Sequence, residues 1–196
     1  GFSQTGVVNN GAKMIVSSGA IVKISGTGAD YTNNSSGGYH GRIDLDGKIQ
    51  LEGDWVNDAT FGGVMINPNS AGLVVFNGTS LQSIGGASNS QFEYFVLNNS
   101  SGLSLSSDIR IRNILSLSSG NVTLNANNLI IGTGGSITGT FGTGRMIITN
   151  GTGSIRKALS GTGSFTFPVG DNTGSIEYTP VNFSLVAHSG VSNAWV

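Results

Sequence analysis

Apolar and polar residues alternate along most of this chain with a period of two, the signature of strands half buried against a core. In 41–47, Ile43 and Leu45 alternate with Arg42, Asp44 and Asp46, and 48–52 carries the alternation on through Ile49 and Leu51. Short runs of the same kind recur at 14–16, 21–24, 64–66, 73–76, 92–97, 103–105, 109–111, 115–117, 122–124, 129–131 and 146–148. No stretch of about ten residues holds the i, i+3, i+4, i+7 pattern with caps, so almost no helix is predicted. Gly, Asn and Ser clusters separate the runs. They include Asn10-Gly11, Asn77-Gly78 and Asn150-Gly151, pairs that enter positive φ at low steric cost.

Internal repetition bears on whether such strands form hairpins or stack as coils. Ser-Ser-Gly occurs at 17–19, 35–37, 100–102 and 118–120, and two of the gaps, Gly19 to Gly37 and Gly102 to Gly120, are 18 residues. The segment 97–105 followed by 115–124 reads as one coil repeated. A coil of roughly 18–25 residues gives about six or seven coils before residue 150, stacked about 4.8 Å apart. The prediction is an all-β chain whose residues 1–151 form a right-handed parallel β-solenoid. An antiparallel sandwich or barrel, which shares short strands and turns, stands as the alternative. From residue 152 the texture changes: 153–159, 163–170 and 178–185 repeat less and hold two of the three prolines. Residues 152–196 are therefore expected to form a β cap or the start of a second, sandwich-like β module, since a solenoid end needs covering.

Composition fits one large domain with at most a small second one in 196 residues. Charged residues make up 10% of the chain, against roughly 25% in an average domain. Hydrophobic residues at 37% still supply a core, so the chain should fold despite its 32 glycines. A net charge of -1 gives no overall footprint for nucleic acid or an anionic membrane, and neither partner is expected. With no Cys there is neither a disulfide nor a thiolate metal site, and no cofactor is expected. The start Gly1-Phe2-Ser3-Gln4 reads as a processed or excised end, and no apolar run approaches the roughly 20 residues of a spanning helix.

Phe76-Asn-Gly-Thr-Ser-Leu-Gln-Ser-Ile84 and Phe92-Glu-Tyr-Phe-Val-Leu-Asn-Asn-Ser-Ser-Gly-Leu-Ser-Leu105 resemble the coils of the Gly/Asn/Ser-rich β-helical surface proteins that Bacteroidetes export by type IX secretion. The segment 155–183, with Thr166-Phe-Pro-Val-Gly170 and Tyr178-Thr-Pro-Val181, is similar to the module that follows such repeats. The resemblance spans 72–183. It implies passage through secretion machinery and an extracellular or outer-surface location in a Gram-negative cell. Such proteins end in a sorting domain that Ser192-Asn-Ala-Trp-Val196 does not resemble, so the chain reads as a piece or stops short of that signal.

The densest charged cluster is Arg42, Asp44, Asp46, Lys48, Glu52, Asp54 and Asp58, with Trp55 beside it. One reading makes it a shallow glycan site, with Asp44 and Asp46 accepting hydrogen bonds and Trp55 or Tyr39 stacking on a sugar ring. The favoured reading is an outward face of mixed charge that solubilises a charge-poor surface and discourages lateral sheet pairing. His40 and His188 lack an i, i+4 partner and read as loop or surface residues. Asp171-Asn-Thr-Gly174 reads as a β-turn, and the Gly-Thr-Gly triplets as corners lacking the strand-helix context of a phosphate loop. No catalytic constellation emerges. The expected function is a non-catalytic structural or adhesive surface protein able to self-assemble, and the alternative is a carbohydrate-binding or polysaccharide-processing module.

Overall fold

The structure, a computed structural model, describes residues 6–26, 28–59, 71–186 and 192–196. The strand expected at 64–66 and His188 lie outside these residues. The chain is an all-β solenoid: strands recur in each coil, and each pairs in parallel with its counterpart one coil further on. The first face stacks Val7–Asn10, Tyr31–Ser36, Trp55–Asn57, Gln82–Gly85, Leu103–Leu105, Val122–Thr123, Ile147–Ile148 and Val169–Asp171. On the second, Lys13–Val16 pairs with Arg42–Leu45 in the first two coils. Later, residues 90–92 and 109–111 pair in series with Leu129–Ile131 and Ile155–Leu159. The third face stacks Ile21–Ile24, Lys48–Leu51, Leu73–Phe76, residues 94–97, residues 114–117 and Ser136–Gly139. The strands Ser90–Asn98 and Ile109–Ser119 bend across the corner between the second and third faces.

Coil length varies. Along the first face one register step spans 19 residues, from Leu103 to Val122, while that from Trp55 to Ile84 spans 29. The Gly102-to-Gly120 repeat is a true corner: both residues have φ near +90°, and a Cβ on Gly120 would collide with the carbonyl oxygen of Asn99. The Gly19-to-Gly37 repeat is not a coil. Ile21 lies beside Lys48, so the counterpart of Ser17-Ser18-Gly19 is the turn at Asp46-Gly47. Ser35-Ser36-Gly37 instead opens a hairpin in which Ser35 and Ser36 pair antiparallel with His40 and Tyr39. The alternation from 42 to 52 likewise belongs to two faces, broken where the N–H groups of Asp46 and Gly47 both donate to Val16 O.

Parallel pairing does not stop at residue 151. Ile155 to Lys157 lie beside Leu129 to Ile131, and Val169-Gly170 beside Ile147-Ile148. Gly151 and Gly153 sit so tightly on the backbone of Asn125 and Asn127 that a side chain at either would collide, keeping the coil stacked through the texture change. Antiparallel pairs appear beyond it. Ser192–Trp195 pairs with Ile155–Leu159, Glu177–Tyr178 with residues 170–171, and Gly163–Phe167 with Val181–Leu185.

Inward residues fill the prism. An aromatic chain runs through the middle coils, with ring centroids 4.5 Å apart for Tyr31 and Trp55, 5.3 Å for Trp55 and Phe92, 5.1 Å for Phe92 and Phe95, and 4.9 Å for Phe95 and Phe76. Beside it, Asn9, Asn33 and Asn57 occupy matching inward positions. Asn33 Nδ2 donates to Gly41 O at 2.9 Å and to Asn57 Oδ1 at 3.1 Å, so these buried amides satisfy corner backbone that no strand pairs. Gln82 does the same: its Oε1 accepts from Gly78 N and Asn99 Nδ2, and its Nε2 donates to Leu51 O. That role explains the Gln in the Phe76-to-Ile84 motif.

Candidate functional site

The acidic cluster is dispersed by the fold. Asp44 points outward and pairs with Lys13 across one coil, Oδ2 to Nζ 2.6 Å. Asp46 is exposed in the turn beyond. Trp55 is fully buried, and its indole N–H donates to Ser90 Oγ at 3.2 Å. It therefore offers no ring face to a sugar, because strand parity turns Trp55 and Asn57 inward and Val56 outward. Tyr39 is exposed, but on the hairpin of the second coil.

The neighbouring carboxylates serve the next coil. Asp30 Oδ1 accepts from Asp54 N at 2.7 Å, Asp54 Oδ1 from Ser83 N at 2.6 Å, and Asp58 Oδ1 from Ala87 N at 2.8 Å. Glu52 accepts from Gly26 N at 3.0 Å and lies 3.6 Å from Lys23 Nζ. His40 Nδ1 is 2.9 Å from Ser35 Oγ. Asp171 Oδ1 accepts from Thr173 N, a local turn that matches the β-turn reading of 171–174. Among the described residues no group of three or more His, Cys, Asp or Glu is placed to hold a metal, and no helix is long and apolar enough to cross a membrane.

A different cluster has the features of a site. Where the middle coils turn from second to third face, the register slips, since Phe92 faces Ile111 but Tyr94 faces Ile114. This bulge sets Glu93 against Arg112 and Asn113. Glu93 is only 2% exposed. Its Oε1 lies 3.4 Å from Arg112 Nε, and its Oε2 accepts from Asn113 Nδ2 at 3.0 Å. With its amide oxygen turned to Arg112, Gln91 accepts from Nε at 2.7 Å and Nη2 at 3.2 Å. Beneath, Lys157 is 5% exposed, donates from Nζ to Thr133 O at 2.7 Å and to Gly132 O, and lies 5.6 Å from the Phe165 ring centroid. Burial pushes its pKa below the ordinary lysine value. An open cleft of about 570 Å³ lies over this network, lined by Tyr94, Arg110, Arg112, Asn113 and Thr133 among others.

The arrangement holds Arg112 in a fixed orientation beside a half-buried tyrosine. Sequence alternation does not single out these residues, but two signals were there. Glu93 interrupts an aromatic strand, and residues 109–170 contain Arg110, Arg112, Arg145, Arg156 and Lys157 with neither Asp nor Glu. No protein-family model matches the chain, and no curated protein or solved structure shows significant similarity to it.

Proposed function

We propose that this chain is a non-catalytic structural or adhesive scaffold that acts outside the cell. One observation carries the reading: carboxylates of the acidic stretch hold coil to coil, as Asp30, Asp54 and Asp58 do by accepting from backbone N–H groups of the following coil. The resemblance of 72–183 to type IX-secreted surface proteins of Bacteroidetes supports export and an outer-surface or released location. Self-association is supported by Val8, Ile15 and Ile21, large apolar side chains exposed on the first coil. The polysaccharide-processing alternative loses Trp55 as a stacking platform, leaving the exposed Tyr39 with Asp44 and Asp46.

Sedimentation of the purified protein, with binding assays on cells and abiotic surfaces, tests the scaffold. Concentration-dependent assembly or surface retention is expected, and a strictly monodisperse monomer without affinity for any surface overturns it. Incubation with a polysaccharide panel tests the absence of catalysis. No new reducing ends or unsaturated products are expected, and products that vanish in Asp44→Ala would make the chain an enzyme.

A further inference from the structure

We propose that the outer surface of the second face, over the last coils, binds a carboxylate-bearing polysaccharide. A scaffold needs no such ligand, so the inference goes beyond the function above. It starts from charge. Residues 1–108 hold four Lys and Arg against eight Asp and Glu, whereas 109–170 hold five and none. The solenoid thus has an acidic stretch followed by a basic one, and the near-zero total conceals both.

Register then lines up the basic groups. Gln91 pairs with Arg110, Arg110 with Ile130, Ile130 with Arg156, and Arg156 with Trp195, one column across five adjacent strands that begins at buried Gln91 and reaches the surface from Arg110 onward, with Ile130 half-buried. The neighbours of the three middle positions, Ile109 and Ile111, Leu129 and Ile131, and Ile155 and Lys157, are buried, and Arg110 and Arg156 are exposed. Adjacent strands lie about 4.8 Å apart, which sets the two guanidinium-bearing positions about 10 Å apart along the solenoid axis. Trp195, 68% exposed, closes one end of the column. The cleft with Tyr94, Arg112 and Asn113 adjoins the other. Neither nearby carboxylate cancels the charge from the surface: Glu93 is buried against Arg112, and Asp108 accepts from Asn128 N at 2.7 Å and Asn128 Nδ2 at 3.0 Å. Among the described residues no carboxylate forms an ion pair with Arg110 or Arg156.

An open row of separated guanidinium groups between two aromatic rings fits a chain of sugar rings bearing carboxylates a sugar or two apart. Guanidinium groups grip carboxylates through paired hydrogen bonds, and rings stack on sugar faces. Nucleic acid fits less well, because a phosphate every 3.4 Å or so per strand calls for a denser basic patch.

Fluorescence anisotropy with labelled oligogalacturonate, its carboxyl-reduced neutral counterpart and a single-stranded DNA of equal length tests the proposal. The protein should bind the oligogalacturonate, more weakly as salt rises, and the neutral chain much less. Arg110→Gln/Arg156→Gln should weaken binding by roughly tenfold or more, and Trp195→Ala by a few-fold. Arg42→Gln, on the acidic coils, should leave it unchanged. Circular dichroism of each variant checks that these surface substitutions preserve the β fold. Absence of binding, equal binding of the neutral chain, tighter binding of the DNA, or an unaffected double variant in the folded state overturns the assignment.

Discussion

The coils before residue 109 and those after it share a backbone but not a chemistry. The earlier ones pack Tyr31, Trp55, Phe76, Phe92 and Phe95 at their centre, and Asp30, Asp54 and Asp58 cap their corners. Inside the later ones lie Ile111, Leu115, Leu117, Leu124, Leu129 and Ile131, and Asn121 and Asn128 cap backbone N–H groups with amide oxygens. Solenoid geometry asks only that a corner N–H find an acceptor and that inward side chains fill the prism; either set of residues satisfies it. Replacing carboxylate caps by amide caps also leaves Arg110 and Arg156 without a carboxylate partner among the described residues. The choice of cap thereby decides the character of the surface.

The sharpest test of the contrast is a pair of core truncations. Trp55→Ala should cost about 3–5 kcal/mol in urea unfolding, since it opens a large cavity, strips ring contacts from Tyr31 and Phe92, and leaves the Ser90 hydroxyl without its indole partner. Leu129→Ala should fall toward the lower end of about 2–5 kcal/mol, because a smaller, aliphatic side chain is removed. An equal or larger loss in Leu129→Ala would show that the aromatic chain is not what distinguishes the earlier coils.

Corner caps give a smaller effect. Asp54→Ala strands the Ser83 N–H and should cost about 1–3 kcal/mol, while Asp54→Asn keeps an acceptor and should cost less. In the later coils the sensitive exchange runs the other way. Asn128→Asp keeps the oxygen that accepts from Ser154 N but loses the amide donated to Asp108 Oδ2, setting two carboxylates face to face. It should destabilise by about 1 kcal/mol. A neutral Asn128→Asp would mean that the later corners accept either cap, and the division between the two regions would then be one of surface charge alone.

Much of this was legible in the sequence, for reasons tied to particular residues. Period-two alternation placed Ile43, Leu45, Ile49 and Leu51 inside, where they lie. The glycan reading puts Trp55 at the surface for its charged neighbours and not by alternation, and Asn57, two residues on, is polar and yet inward, because the buried amide stack makes a polar residue a core residue. Ser-Ser-Gly marked a true corner at 102 and 120 but a hairpin at 37, since a glycine with positive φ suits either turn. The break at 152 reflects a change in strand length and proline content, whereas stacking is kept by glycines that approach the preceding coil. The Glu93 network stayed hidden because a bulge, which alternation cannot register, brings its members together.

Alkaline pH separates the two regions most finely. Burial pushes the Tyr31 phenol up to about 12 from 10.0, while its hydroxyl donates to Asn33 Oδ1 at 3.2 Å. The unfolded chain therefore releases this proton first, and folding stability falls as pH rises through the interval from 10 to about 12. At pH 11 that loss amounts to about 1.4 kcal/mol. Lys157, in the later coils, acts in the opposite sense. Its folded pKa is depressed, so the cost of burying its charge weighs on the fold at low and neutral pH and is relieved as pH climbs toward the ordinary lysine value. Urea midpoints at pH 8 and 11 should thus fall less with pH in Tyr31→Phe than in the parent, and more steeply in Lys157→Met, with other ionisations common to all three proteins. Parallel shifts in all three would mean that neither buried group titrates differently on unfolding, and the alkaline contrast between the coils would disappear.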